Sequence, residues 1–311
     1  MFFDEKGYLE VDTPLLSPDV IPESSISFFT APFHNEFLGD RDLYLVPSPE
    51  VFMKKLISWG SGNIYQISRC FRNEEQLGSL HNPEFTMLEW YTVESDCMES
   101  LNVMNELLHA LSPFDTRGIC REKPEVMTVA QACWRYAGFD LEKTQEPREL
   151  IQTALTLGLS VPPDVHTDTW EEIFHRIFLT FVEPELPKDR PCFLTEYPKQ
   201  IDCLAKDIPG TPWKERWELY LGGWELANCY SEETERSRVE SFYRRGYERV
   251  KHICETKGRN MPHVDGSFPG LFHQDFPPCS GTALGVDRLI MTLAGQKKIQ
   301  GVILFPLSDI L

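Results

Sequence analysis

An α+β fold, an antiparallel sheet flanked by helices, is predicted from two hairpin signals and the helical stretches around them. The first hairpin pairs residues 64–72 with residues 84–91 across a polar loop. The second pairs residues 217–221 with 224–228 across Gly222-Gly223, a doublet suited to a tight turn. Neither a Walker loop nor a G-x-G-x-x-G string occurs, which argues against a doubly wound nucleotide fold.

In chain order, residues before Gly7 read as the tail of a helix, and residues 7–11 as a strand stopped at Thr13-Pro14. Residues 43–46 form a short apolar strand. Ser48-Pro49-Glu50 then reads as N-cap, first helical position and first-turn acid of a helix that Gly60-Ser61-Gly62 ends near Trp59. In strand 64–72, Tyr65, Ile67 and Phe71 share an apolar face, and Gln66, Ser68, Cys70 and Arg72 share a face polar enough to meet a ligand. Residues 73–82 are a loop containing Gly78, and Phe85, Met87, Glu89 and Tyr91 share one face of the next strand. Residues 99–181 turn helical and read as an insertion or packing layer. Val161-Pro162-Pro163 and residues 184–191 act as connectors. Residues 231–257 read as a charged helix. Residues 284–295 read as a helix entered from Ser280-Gly281-Thr282-Ala283.

Composition narrows the function class. The 311 residues carry 30 Lys+Arg against 48 Asp+Glu, a net charge of −18. Such a chain is a poor non-specific binder of nucleic acid or anionic membrane, although a local basic patch remains compatible. No apolar run reaches the roughly 18 residues of a membrane span, and the acidic start lacks the basic residues of an export signal. The 9 cysteines are odd in number and contain no C-x-x-C pair, as expected of reduced cytoplasmic thiols.

Three groups carry chemistry. Arg72 closes a strand on its polar face, where a guanidinium can fork onto a phosphate. Phe85 and Glu89 lie on one strand face about 13 Å apart, roughly the span from an adenine to an amino acid joined through a phosphate. In Ser280 through Arg288 small residues permit close backbone approach, and Arg288 falls in the first turn of a helix. Glu225, Asn228 and Glu232 follow the Gly-Gly turn and suit a hard cation held with phosphates. Alone, these groups read equally as a salt-bridge loop, a glycine turn with an exposed arginine, and an acidic rim.

Together they resemble motifs 2 and 3 of the class II aminoacyl-tRNA synthetases, specifically the lysine branch. The strings are Phe71-Arg72-Asn73-Glu74, His81-Asn82-Pro83-Glu84-Phe85-Thr86 and Glu89-x-Tyr91. Beside them stand Gly223-x-Glu225-x-Ala227-Asn228 through Glu232, and Ser48-Pro49-Glu50. The resemblance covers the chain apart from roughly residues 112–200 and implies a class II catalytic core. In that branch an anticodon-binding domain precedes the core. Here the core starts at residue 1, so a single catalytic domain is expected, with most of the motif 1 helix ahead of Met1. The chain is therefore most similar to the stand-alone paralogs, the elongation factor P–(R)-β-lysine ligases. That resemblance implies ATP and Mg²⁺, lysine or β-lysine as substrate and elongation factor P as acceptor. It also implies a cytoplasmic homodimer, with neither tRNA nor a membrane as partner.

The resemblance also implies roles. Arg72 binds the α-phosphate and, with Arg288 on the γ-phosphate, is catalytic. Glu74 reads the adenine amino group, Phe85 stacks on the ring, and Asn73, His81, Asn82, Leu226 and Gly285 complete the nucleotide pocket. Glu225 holds Mg²⁺. Ser48, Pro49 and Glu50 hold the amino group near the carboxylate. Glu89 and Tyr91 receive the distant ammonium, and Asn228 and Ala283 shape the substrate pocket. Glu232 serves either the ammonium or the metal. Ala283 stands where lysyl-tRNA synthetases usually have Gly, and the extra methyl is expected to favour a β-amino isomer while tolerating α-lysine. A truncated lysyl-tRNA synthetase and a non-catalytic lysine sensor are the alternatives.

Overall fold

The computed structural model describes residues 1–311 apart from 75–77, 161–168 and 274. The strands, in chain order, are β1 (Leu9–Glu10), β2 (Leu16–Ser17), β3 (Thr30–Phe33), β4 (Arg41–Leu45), β5 (Ile64–Phe71) and β6 (Glu84–Val93). They continue as β7 (Glu125–Thr128), β8 (Cys192–Pro198), β9 (Trp213–Leu221), β10 (Trp224–Ser231) and β11 (Cys279–Gly285). The helices are α1 (Phe2–Glu5), α2 (Glu50–Ser58), α3 (Cys97–Leu111), α4 (Val129–Ala132), α5 (Pro147–Thr156) and α6 (Trp170–Ile177). They end with α7 (Arg236–Lys257), α8 (Val286–Leu293) and α9 (Leu307–Ile310).

Eight strands build one sheet in the order β1-β5-β6-β11-β10-β9-β8-β7, and β2-β4-β3 form a small second sheet. The large sheet is antiparallel except at its two ends, where β1 runs parallel to β5 and β7 parallel to β8. Both predicted hairpins are present. At the β9–β10 turn, Gly222 and Gly223 take φ of 66° and 94°, a conformation that a side chain would resist. A bulge between Glu225 and Ala227 interrupts that pairing, and bulges re-aim neighbouring side chains.

Helix α3 starts where Asp96 accepts from the Met98 and Glu99 backbones and Glu99 reaches back to the Asp96 N–H. Its buried stripe of Leu101, Met104, Leu107 and Leu108 packs with Trp90, Trp217, Leu219 and Leu284 of the sheet. A second core, with Trp170, Phe174, Phe178 and Tyr220, fills the space between the inserted helices and strands β8 and β9. A third, with Met53, Ile57, Phe242 and Phe268, lies under α2 and α7.

Several expectations shift. The small-residue run 279–285 is a strand, β11, rather than the entry to a helix, and α8 starts only at Val286. β11 pairs with β6 and β10 on either side. Ser, Gly, Thr and Ala carry too little apolar signal for a period of two to show. The helical stretch 99–181 also contains β7, which joins the sheet edge. The charged helix begins at Arg236, because Ser231 still belongs to β10. On β5 the supposedly core-facing Ile67 is 57% exposed, while Gln66, Ser68 and Cys70 are buried. The polar face is therefore the inward one. The α2 N-cap is Pro49, one residue later than expected, although Ser48 Oγ still accepts from Glu50 N at 3.4 Å. The connector Val161-Pro162-Pro163 lies outside the described residues, and the loop 73–82 is described only outside 75–77.

Gly246 shows how closely α7 is seated. A Cβ there would lie 2.1 Å from the Pro22 carbonyl oxygen, which is backbone and cannot swing away. Gly246→Ala is therefore expected to destabilise the fold by about 1–3 kcal/mol, although alanine is the better helix former. A denaturant midpoint that rises instead would show that the contact relaxes freely.

Candidate active site

Strands β6, β11 and β10 form the floor of two joined cavities. The small side chains of Gly281, Ala283 and Gly285 pair with Tyr91, Glu89 and Met87 on β6. On the other side, Gly281 and Ala283 pair with Tyr230 and Asn228. Long functional side chains of the outer two strands therefore reach over a floor that offers little bulk of its own.

The first cavity is lined by Arg72, His81, Phe85, Glu225, Gly285 and Arg288 among others. Arg72 leaves the end of β5 with its guanidinium carbon 5.4 Å from the Phe85 ring centre. Its Nε is buried and, among the described residues, has no hydrogen-bond partner, and the residue lines both cavities. Arg288 donates from Nη1 to the Glu225 carbonyl (2.9 Å) and from Nε to the Leu80 carbonyl (3.3 Å). Asp287, beside it, accepts from Thr86 N at 2.6 Å and ties the start of α8 to β6.

The second cavity is lined by Ser48, Glu50, Glu89, Tyr91, Tyr230 and Glu232, with Glu23 and Arg216 also facing it. Tyr91 donates to Glu89 Oε1 at 2.8 Å. Glu89 and Glu232 are only 3% and 1% exposed. Arg72, Met87, Asn228 and Ala283 line both cavities and mark their junction.

Crowded carboxylates make this a strained electrostatic environment. Burial, then the nearby Glu50, pushes the Glu89 carboxyl up to about 8. Burial pushes Glu232 up to about 7, with Lys54 opposing and Glu50 adding to the rise. Glu23 is pushed up to about 7 by burial and Glu50. In the first cavity, burial and Glu218 push Glu225 up to about 7, and Arg288 opposes. Cationic ligands would relieve both groups.

Most residues expected at the site do converge. Arg72, His81, Asn82, Phe85, Glu225, Leu226, Gly285 and Arg288 line the first cavity, and Ser48, Glu50, Asn73, Glu89, Tyr91 and Glu232 the second. Three are employed elsewhere. Glu74 lines neither cavity and is ion-paired with Lys257 and Arg259 beyond α7. Pro49 is the α2 cap and lines neither. The Asn82 amide holds backbone, donating to Glu84 O and accepting from Leu307 N. Glu225 and Glu232, both considered for one metal, occupy different cavities, and Glu232 is paired with an ammonium, Lys54.

Sequence reasoning missed Lys54, Glu23, Arg216 and Tyr230. Lys54 stands four residues after Glu50 on α2, a spacing that signals a helical ion pair but gives no hint of burial. Glu23 and Arg216 lie far from any motif, and only the fold brings them here.

Among the described residues, no three His, Cys, Asp or Glu side chains meet as a ready metal cage. A Mg²⁺ held by one carboxylate and by phosphates needs none. Glu225 fits that role, because its crowded carboxyl gains from a neighbouring cation.

Two outcomes test this geometry. A Cβ on Gly281 would lie 2.5 Å from Glu232 Oε1 and 2.6 Å from Tyr91 Cε1. Gly281→Ala is thus expected to weaken binding of a diammonium such as lysine by about tenfold or more while sparing ATP affinity. Unchanged lysine affinity would show that the wall yields. Glu89 and Glu232 hold protons near neutrality and must lose them to receive ammonium groups. Lysine affinity should therefore rise between pH 6 and 8, with about one proton released at pH 7. Titration calorimetry in buffers of different ionisation heat reads that proton, and equal heats would refute it.

Residues 1–309 match the family model of tRNA synthetases class II (D, K and N). Relatives named elongation factor P–(R)-β-lysine ligase match almost end to end. The one from Photorhabdus laumondii is 35% identical over 99% of this chain and 91% of its own. That of Proteus mirabilis is 35% identical over 98% and 90%, and that of Yersinia pestis 33% over 99% and 91%. With the cavity-lined sheet and this end-to-end match, the chain belongs to the class II tRNA synthetase family of the D, K and N type.

Proposed function

We propose that the protein is an ATP-dependent ligase that activates (R)-β-lysine, or lysine, as an adenylate and passes it to a lysine side chain of elongation factor P. The observation that carries this reading is the position of Arg72. Its unpartnered donor lies where a phosphate-sized cavity opens into one lined by carboxylates. A carboxylate whose ammonium groups are held in the second cavity would meet the α-phosphate there. The relatives' names support the substrate and the acceptor.

Activation needs no covalent enzyme intermediate. A substrate carboxylate oxygen attacks the α-phosphorus, the bond from that phosphorus to the bridging oxygen breaks, and pyrophosphate leaves. Arg72 stabilises the charge that builds on the phosphoryl oxygens. Phe85 stacks on the adenine, Arg288 holds the terminal phosphate, and His81 and Gly285 shape the nucleotide pocket. Glu50 takes the amino group near the carboxylate, and Glu89, Tyr91 and Glu232 take the distant ammonium. This arrangement turns encounter into orientation. Enzymes of this family generally use ATP with Mg²⁺, which neutralises phosphate charge, and Glu225 is the residue to hold it. In the transfer step the unprotonated acceptor amine attacks the acyl carbon, the bond to AMP breaks, and the new amide sheds a proton to solvent.

The same proposal takes residues 1–311 as one catalytic domain acting as a cytoplasmic homodimer, with tRNA not an acceptor. Ala283, at the junction of the cavities, is the residue placed to discriminate between lysine isomers.

Arg72→Ala is expected to lower ATP–pyrophosphate exchange by roughly 10²–10³-fold. Near-normal exchange would remove Arg72 from the mechanism. Offering elongation factor P and total tRNA together, with ATP, Mg²⁺ and labelled (R)-β-lysine, tests the acceptor. Label is expected on the protein, and label on tRNA would replace this reading with tRNA charging.

A further inference from the structure

Behind the wall of the second cavity, paired with two of its lining acids, sits a cation that the proposed chemistry does not use. Lys54, on the second turn of α2, is fully buried. Its Nζ lies 2.5 Å from Glu50 Oε1 and 2.7 Å from Glu232 Oε2, and 5.7 Å from the centre of the Tyr230 ring. An ammonium has three donors and no acceptor. One goes to Glu50 Oε1, Glu232 Oε2 lies within ion-pair distance, and the ring face lies within cation–π reach. One oxygen of each carboxylate is left over. For Glu232 that oxygen, Oε1, faces the Gly281 floor, as the 2.5 Å approach of a Cβ there shows.

We infer that Lys54 is a positioning residue for amine recognition. It clamps Glu50 and Glu232 at a set separation and trims the negative charge of the cavity to suit a diammonium substrate. The inference rests on the proposed amine-activating function and names a determinant of its specificity.

Charge arithmetic supports it. Once Glu89 and Glu232 have given up their protons, they and Glu50 place three negative charges on the lining, and Arg72 on the lining and Lys54 behind it supply two positive ones. A diamino acid brings two ammonium groups and one carboxylate, which balances that remainder. Without Lys54 the same substrate would leave a carboxylate uncompensated. The other charged residues lining this space are Glu23, Glu171, Asp202, Arg216 and Arg249, and Lys206 acts on Glu232 from nearby. Asp202 is paired with Arg245 and Arg249. Arg216 is itself bound to Glu218 at 2.7 Å, so it is not available to replace Lys54.

The clamp also explains why two acids converge without splaying apart. Glu50 comes from α2, and Glu232 lies just past the end of β10. Among the described residues, Lys54 alone is ion-paired with both. Burial works against its charge, but Glu232 and Glu50 more than offset this and hold the ammonium protonated. A purely structural role is the competing explanation, because buried ion pairs are often replaceable by apolar side chains with little loss.

The test compares the full-length wild-type chain with Lys54→Met and Lys54→Ala in ATP–pyrophosphate exchange. For Lys54→Met, the KM for (R)-β-lysine and for lysine should rise about 30-fold, while the KM for ATP stays within about twofold. The acidic limb of kcat/KM should move up by about one pH unit, because Glu232 loses the cation that opposes its burial-driven rise. In Lys54→Ala, propylammonium at tens of millimolar should restore at least part of the lost lysine affinity, and butanol should not. Unchanged amine KM in Lys54→Met overturns the inference. So does a parallel rise of both KM values that propylammonium fails to rescue, which would mark a structural role. Absence of exchange in the wild type would instead defeat the functional reading. The clamp would then be judged by calorimetric binding of lysine to the wild type and to Lys54→Met, where equal affinities would refute it.

Discussion

The site depends on one packing constraint, the insertion of a strand with almost no side-chain bulk between two strands that carry long functional groups. β11 places Gly281, Ala283 and Gly285 opposite Tyr91, Glu89 and Met87. Any larger residue at Gly281 would occupy the space that the Glu232 and Tyr91 side chains now take. The same thin floor lets two cavities join at Arg72, Met87, Asn228 and Ala283. Chemistry between a nucleotide and a carboxylate needs such a junction, because the reacting atoms must come within about 3–3.5 Å of one another.

A second feature follows from burial. Acids on α2, on β6 and beyond β10 are taken out of water together, and their carboxyl groups rise to about 7 or 8 at Glu232 and Glu89. Isolated buried carboxylates are costly. Here Tyr91 and Lys54 satisfy part of that demand, and a diammonium ligand would satisfy the rest. Binding energy of this kind would come from relieving a repulsion the fold has built in, which would favour charged amines over neutral ligands.

The first cavity follows a different logic. Its cations, Arg72 and Arg288, face space that a polyphosphate would fill, and Glu225 sits beside the bulge in β10. Arg288 is braced by the Glu225 and Leu80 carbonyls, and Asp287 ties the start of its helix to β6. Such bracing holds the charges in place before a ligand arrives, which limits the reorganisation needed during reaction.

Local sequence determined both hairpins, the helix after Ser48-Pro49-Glu50, and the polar face of β5, because turn glycines, caps and alternation act over a few residues. The motif strings shared with class II synthetases named most of the candidate site, and the fold sets Arg72, Phe85, Glu89, Glu225, Glu232 and Arg288 on or at the ends of β5, β6 and β10 and on α8. Tertiary structure decided the rest. The small-residue run is a strand because β6 and β10 pair with it on both sides. Ile67 points to solvent because the fold buries the opposite face of its strand, Gln66, Ser68 and Cys70. Glu74 is drawn to Lys257 and Arg259 from a distant helix end. Lys54 is buried between two acids that lie 4 and 178 residues away, the second of which no local pattern announces. Pairing across such distances depends on which surfaces the chain brings together, and periodicity within one segment carries no record of it.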